Sequence, residues 1–139
     1  MKIWIAAAST LALLGASQAL AQARKIDLGK VEYDGKCAHC HGPAGKGDGP
    51  TNAFMTRRAP DLTGLAKGNA GVLPVVMLYD AITGEKQVAG HGTREMPAWG
   101  TAYRVQAAEY YGDAPYDPEA FVRTRVLLLV EYINRLQAK

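Results

Sequence analysis

The chain has 139 residues, enough for one domain and too few for two ordinary ones. It is 48% hydrophobic and 21% charged, so it can bury a core and is not a disordered polymer. A net charge of +3 is too weak a bias for a nucleic-acid binder, and two cysteines exclude a multi-disulfide scaffold or an all-cysteine metal or iron–sulfur cage.

Lys2 gives a minimal positive start, and residues 3–16 are apolar except for Ser9, Thr10 and Gly15. The small-residue pattern Ala19-Leu20-Ala21 then precedes the first polar stretch, from Gln22 to Lys25. That order reads as a secretory signal peptide over 1–21, cleaved after Ala21, with Ala23 the alternative because Ala21-Gln22-Ala23 has the same form. The apolar run falls short of the roughly 18–20 residues that span hydrocarbon, so no stable membrane insertion is expected. The mature domain, 22–139, is expected in the periplasm, where thiols do not normally stay free.

A helix is predicted over 27–40, with Asp27 at its start and Leu28, Val31 and Tyr33 on its buried side. Residues 41–62 read as loop, because Gly42, Pro43, Gly45, Gly47, Gly49, Pro50 and Pro60 forbid long regular structure. Pro74 opens a short helix through Ala81 that carries Val75, Val76, Leu78 and Tyr79, and Thr83-Gly84 ends it. Residues 90–100 read as loop again, and 104–117 as an extra loop holding Tyr110, Tyr111 and Tyr116 beside Glu109, Asp113 and Asp117. Asp117-Pro118-Glu119 combines an N-cap, a proline at the first helical position and an acidic first turn. The helix it opens runs to about Gln137, with Phe121, Val122, Leu128, Leu129, Tyr132, Ile133 and Leu136 available for the core. No alternating strand pattern of useful length occurs. The fold class is therefore all-α, three to four helices joined by long loops. So few short helices bury little apolar surface, and a domain this small is marginal unless something else fills its middle.

Cys37-Ala38-His39-Cys40-His41 reads C-x-x-C-H, the attachment signature of a c-type haem. Three residues apart at a helix end, the two thiols project to one side, where each can form a thioether with a haem vinyl group. The histidine that follows is carried under the iron. A zinc site needs about four ligands, and beyond His39 and His41 only His91 remains. A thiol–disulfide oxidoreductase also uses C-x-x-C, but its motif follows a strand within a βαβ pattern, whereas this one closes a helix and runs into glycines. An iron held this way calls for a sixth ligand in a loop beyond the mid-chain helix. Met55 lies soon after the motif, and Met77 falls within an apolar helix, where core packing explains it. Met96 lies in a loop and is followed by Pro97, which holds its backbone extended; it is the chosen ligand. His91 is the rival, and a bis-His iron would have the lower potential.

Residues 27–103 and the last helix resemble the class I c-type cytochromes, small monohaem electron-transfer proteins whose all-α fold wraps a covalently bound haem. Gly29, Tyr33 and Cys37, four apart, are similar to that family's N-terminal helix, and Leu129 and Tyr132 to the matching positions of its last helix. Ala59-Pro60-Asp61-Leu62 resembles the family's Pro-x-Leu segment, which implies that the Pro60 carbonyl accepts a hydrogen bond from the second ring nitrogen of His41. Met96-Pro97-Ala98-Trp99-Gly100 resembles its Met-Pro-aromatic loop, the sixth ligand first. The resemblance implies one haem c, His41 and Met96 as axial ligands, and a periplasmic carrier of single electrons. Such a carrier is a monomer and not itself an enzyme, and it passes electrons between a donor dehydrogenase and an acceptor oxidase or reductase. Lys36, Lys46, Arg57, Arg58 and Arg94 would steer an acidic partner. A haem subunit of a periplasmic dehydrogenase or sulfur-oxidising complex is the alternative, supported by the 104–117 stretch. An enzyme or gas sensor with a labile sixth ligand is the third.

Overall fold

The computed structural model describes residues 26–85 and 96–138. The expected signal peptide, His91 and Arg94 lie outside the described residues. Within them the chain forms α1 (Leu28–Lys36), α2 (Ala38–His41), 3-10 turns at Pro50–Phe54 and Lys67–Asn69, α3 (Val75–Thr83), α4 (Trp99–Tyr111) and α5 (Pro118–Arg135), with no strand. The all-α class expected from the sequence is the one found.

α1 begins where its capping residue places it, with the Asp27 carboxylate accepting from the Lys30 N–H at 3.0 Å. The single helix expected over 27–40 breaks at Cys37, which caps the end of α1 and the start of α2. The buried side also differs. Gly29, Glu32 and Tyr33 face inward, while Leu28 and Val31 are exposed. The closest backbone approach decides the rotation: a Cβ on Gly29 would stand 2.4 Å from the Leu128 carbonyl oxygen of α5. Once Gly29 is turned to that crossing, positions three and four residues on share its face, and Leu28 and Val31 are swung away by about 100° per residue. Tyr33 fills the wedge beside the glycine, its ring 5.0 Å from that of Tyr132.

Glu32 is buried among cations. It accepts from the Tyr103 hydroxyl at 3.0 Å and from Arg125 at 2.8 Å, and the Lys36 ammonium lies 3.0 Å away. Two positive charges and a hydroxyl around one carboxylate offset its desolvation and tie α1 to α4 and α5.

α3 has close to its expected bounds, from Pro74 at the N-cap to Gly84 in the left-handed region at its end. Leu78, Ile82 and Thr83 carry its contact with the core. Met77, expected in the core, is instead exposed, as are Val75 and Val76. Met77 stands one position off the 78–82 stripe and rotates out of it.

The largest departure lies between Met96 and the last helix. Of residues 104–117, expected as an extra loop, 104–111 supply the second half of the 13-residue helix α4 and 112–117 remain loop, while the loop expected through residue 100 gives way to the helix's first turn. Arg104, Gln106, Ala107, Ala108 and Glu109 are all compatible with helix, Ala strongly so. Gly112 then ends it, donating its N–H to the Ala108 carbonyl. Tyr103 and Ala107 are buried. Tyr111 stacks on Tyr116 at 4.8 Å, and both Tyr110 and Tyr111 pack beside Phe121.

α5 starts with Asp117 accepting from the Glu119 N–H at 2.9 Å and with Pro118 in first position. Val122, Leu129, Tyr132 and Ile133 are buried as expected, joined by Val126 and Val130. Beyond its end, Gln137 donates to the Leu62 carbonyl and accepts from the Ala66 N–H. These bonds anchor the end of the chain to the segment that follows Pro60.

Candidate functional site

α2 is one turn long and, with Cys37 as its N-cap, presents the Cys37–His41 motif. Its last N–H groups bond back to the Cys37 carbonyl, from Cys40 at 3.1 Å and from His41 at 2.9 Å. The chain then reverses through glycines. Gly47 has a φ of +71°, and a Cβ there would meet the Ala59 carbonyl oxygen at 2.3 Å. Only glycine both adopts that conformation cheaply and lets the 59–60 segment approach. The Tyr33 hydroxyl donates to the Gly42 carbonyl at 2.8 Å, and the Gly47 N–H to that of His41 at 2.8 Å.

This reversal brings Pro60 to His41. Nδ1 of His41 donates to the Pro60 carbonyl at 3.0 Å, the bond that the family resemblance implied. A carbonyl can only accept, so the proton sits on Nδ1, and Nε2 keeps its lone pair. Burial lowers the pKa of His41 below the usual histidine value, against a smaller opposite pull from Pro60. A neutral imidazole with its second nitrogen free is the metal-binding form.

The two thiols are unpaired, Cys37 buried and Cys40 partly so. Burial pushes the Cys37 thiol up to about 12. A disulfide oxidoreductase needs the reverse, an accessible cysteine with a depressed pKa. Among the described residues no three His, Cys, Asp or Glu side chains are grouped to hold a metal ion, so the two sulfurs and the imidazole are not ligands to a single ion. A planar ring fits this donor set: two sulfurs available for its edge, and one oriented nitrogen for its centre.

Cys37, Cys40, His41 and Pro60 therefore lie in one local assembly. Met96 stands three residues before α4 and packs against the core cluster that contains Cys37. α4 itself is seated by Gly100, where a Cβ would come within 2.8 Å of the Thr83 carbonyl oxygen at the end of α3. Lys36, expected to steer a partner, is instead committed to Glu32 and lies 5.8 Å above the Trp99 ring and 5.2 Å above that of Tyr103. Lys46, Arg57 and Arg58 are exposed.

Sequence reasoning missed Asn52, Glu32 and Tyr103. Glu32 was findable, since it sits three residues after Gly29 on the same face. Tyr103 follows Trp99 by four at helical spacing, which the loop readings of 90–100 and 104–117 on either side of it hid. The family model described as cytochrome c matches residues 26–115, well over half the chain. No significant match exists among curated proteins or solved structures.

Proposed function

The chain belongs to the cytochrome c family, and we propose that it is an exported, periplasmic carrier of single electrons with one haem c ligated by His41 and Met96. The family transfers electrons through a covalent haem. The observation that carries the reading for this chain is the His41 ring, buried and held through Nδ1 by Pro60 directly after two cysteines three residues apart.

Bound there, haem supplies a ferrous–ferric couple. Cys37 and Cys40 would hold its edge as thioethers, and Nε2 of His41 its iron. Pro60 fixes the plane and tautomer of the imidazole and raises its basicity. A Met96 thioether, if it also held the iron, would favour the ferrous state and raise the potential. His41 and Met96 would both be committed to holding the iron, and the group would supply one-electron transfer. Lys46, Arg57 and Arg58 favour acidic partners, among which we place a donor dehydrogenase and an acceptor oxidase or reductase, with association that weakens as salt rises.

The test is a reduced-minus-oxidised visible spectrum with pyridine haemochrome, on protein from a host that attaches haem. Covalent haem is expected, with a weak band at the red end from methionine–iron charge transfer. Met96→Ala should abolish that band and lower the potential by on the order of 0.1 V or more, within the roughly 0.8 V range that axial ligands span. A wild-type protein without that band, whose visible spectrum persists in Met96→Ala and is lost in His91→Ala, would transfer the sixth position to His91.

A second reading, a haem subunit of a larger periplasmic complex, is favoured by Tyr110, 74% exposed beside the Tyr111–Tyr116 stack. Exposed tyrosines suit interfaces. Size exclusion of the native material should give a monomer for the carrier and a larger mass for the subunit.

A further inference from the structure

Asn52 is buried within the glycine-rich loop, on the 3-10 turn Pro50–Phe54. Its Nδ2 lies 2.7 Å from the Cys40 carbonyl, 2.9 Å from that of Gly47 and 3.0 Å from that of Gly49. Its Oδ1 accepts from the Ala59 N–H at 2.7 Å. The orientation of the amide follows from these partners, because a flipped group would set its oxygen against three carbonyls. Two N–H bonds are shared among three acceptors, and all of the amide's polar atoms are satisfied inside the loop.

What singles out this side chain is where its bonds end. Cys40 immediately precedes His41. Ala59 immediately precedes Pro60, whose carbonyl holds Nδ1 of His41. One amide thus joins the residue before the imidazole to the residue before its acceptor, which closes a ring of contacts through Cys40, Asn52, Ala59, Pro60 and His41. Pro60 has no N–H of its own, so Asn52 grips this segment at the nearest backbone donor. Other bonds secure the turn on the histidine side, from Tyr33 to Gly42 and from Gly47 to His41, but neither reaches residue 59.

The geometry points to Asn52 as a positioning residue for the axial histidine: it sets the His41 Nδ1–Pro60 hydrogen bond and, through it, the reduction potential of the haem. This rests on the haem reading given above. A strong bond from Nδ1–H gives the ring more imidazolate character, and Nε2 then donates more to the iron and favours the ferric state. When Asn52 is removed, the segment keeps its bond from the Leu62 N–H to the Gly45 carbonyl at 2.7 Å. It loses its hold at Ala59, next to Pro60 itself, so the Nδ1 bond weakens and the ferric state loses that support.

The experiment compares wild-type holoprotein with Asn52→Ala, Asn52→Ser and the control Asn69→Ala. The control deletes an exposed amide that bonds the Val72 carbonyl in a separate loop. Both Asn52 variants should shift the ferric-to-ferrous preference by up to about tenfold toward ferrous, a rise of about 59 mV for a one-electron couple. The His41 Nδ1–H resonance of the ferrous protein should move upfield, and the Ala59 amide should lose protection from hydrogen exchange. Asn69→Ala should leave the potential and the ring proton unchanged. Lowered thermal stability in the Asn52 variants, with potential and ring proton at wild-type values, would overturn the proposal. So would rapid exchange of the Ala59 amide in the wild-type holoprotein, a measurement that needs no variant. Wild-type protein lacking covalent haem would overturn the haem reading itself, and is told apart at the first spectrum.

Discussion

The double variant Cys37→Ala/Cys40→Ala, expressed with haem-attachment machinery, is expected to carry no haem that survives acid–acetone extraction. Each thiol supplies one thioether, and no other cysteine exists in the chain, so the loss is complete rather than partial. The consequences extend to the fold. The described helices are short, from 4 residues in α2 to 18 in α5, and a domain of this size depends on something beyond its own side chains for an adequate core. The variant should therefore also lose its cooperative thermal transition, or show it far below that of the wild type by circular dichroism. Red protein that keeps its pigment through extraction would refute the attachment.

The second large effect is a difference in sign between two glycines of the same helix. Gly35→Ala meets nothing within 4 Å and should stabilise by about 0.5–1 kcal/mol, because alanine is the better helix former. Gly29→Ala has the same intrinsic advantage but places its Cβ 2.4 Å from the Leu128 carbonyl oxygen and 3.1 Å from the Tyr132 Cβ. Both obstacles belong to the body of α5, so α1 has to move. Such overpacking costs roughly 1–3 kcal/mol, and the net effect should be a loss. Gly29→Val should cost more again, through added volume and a β-branched rotamer. Denaturant melts of the three variants check this directly, and equal stability for Gly29→Ala and Gly35→Ala would refute the close crossing.

What the sequence disclosed was mostly punctuation and chemistry. Asp27, Pro74, Gly84 and Asp117-Pro118 mark helix ends through local hydrogen bonds and fixed dihedrals, and those ends were legible within a few residues. The attachment motif was legible because its spacing is its mechanism. Rotation of α1 was not, because Leu28 and Val31 look more apolar than Gly29 and Glu32, and only a partner helix reveals that a missing side chain can be the contact. The helix over 99–111 was hidden for a related reason: its buried stripe is Gly100, Tyr103 and Ala107, flanked by exposed tyrosines, a pattern easily taken for a surface loop. Asn52 was hidden because a polar residue among glycines has the composition of loop, and its four partners become neighbours only once the loop has folded.

The crossing of α1 and α5 also has a consequence in time. Glu32 and Arg125 are 93 positions apart, so the two helices cannot meet until nearly all of the polypeptide has been synthesised. Contacts this distant in sequence are slow to form, because the long intervening loop must close first. Cys37 is 6% exposed once that crossing has closed. On the haem reading, the sulfurs are therefore expected to meet their pigment before the last helix packs against the first.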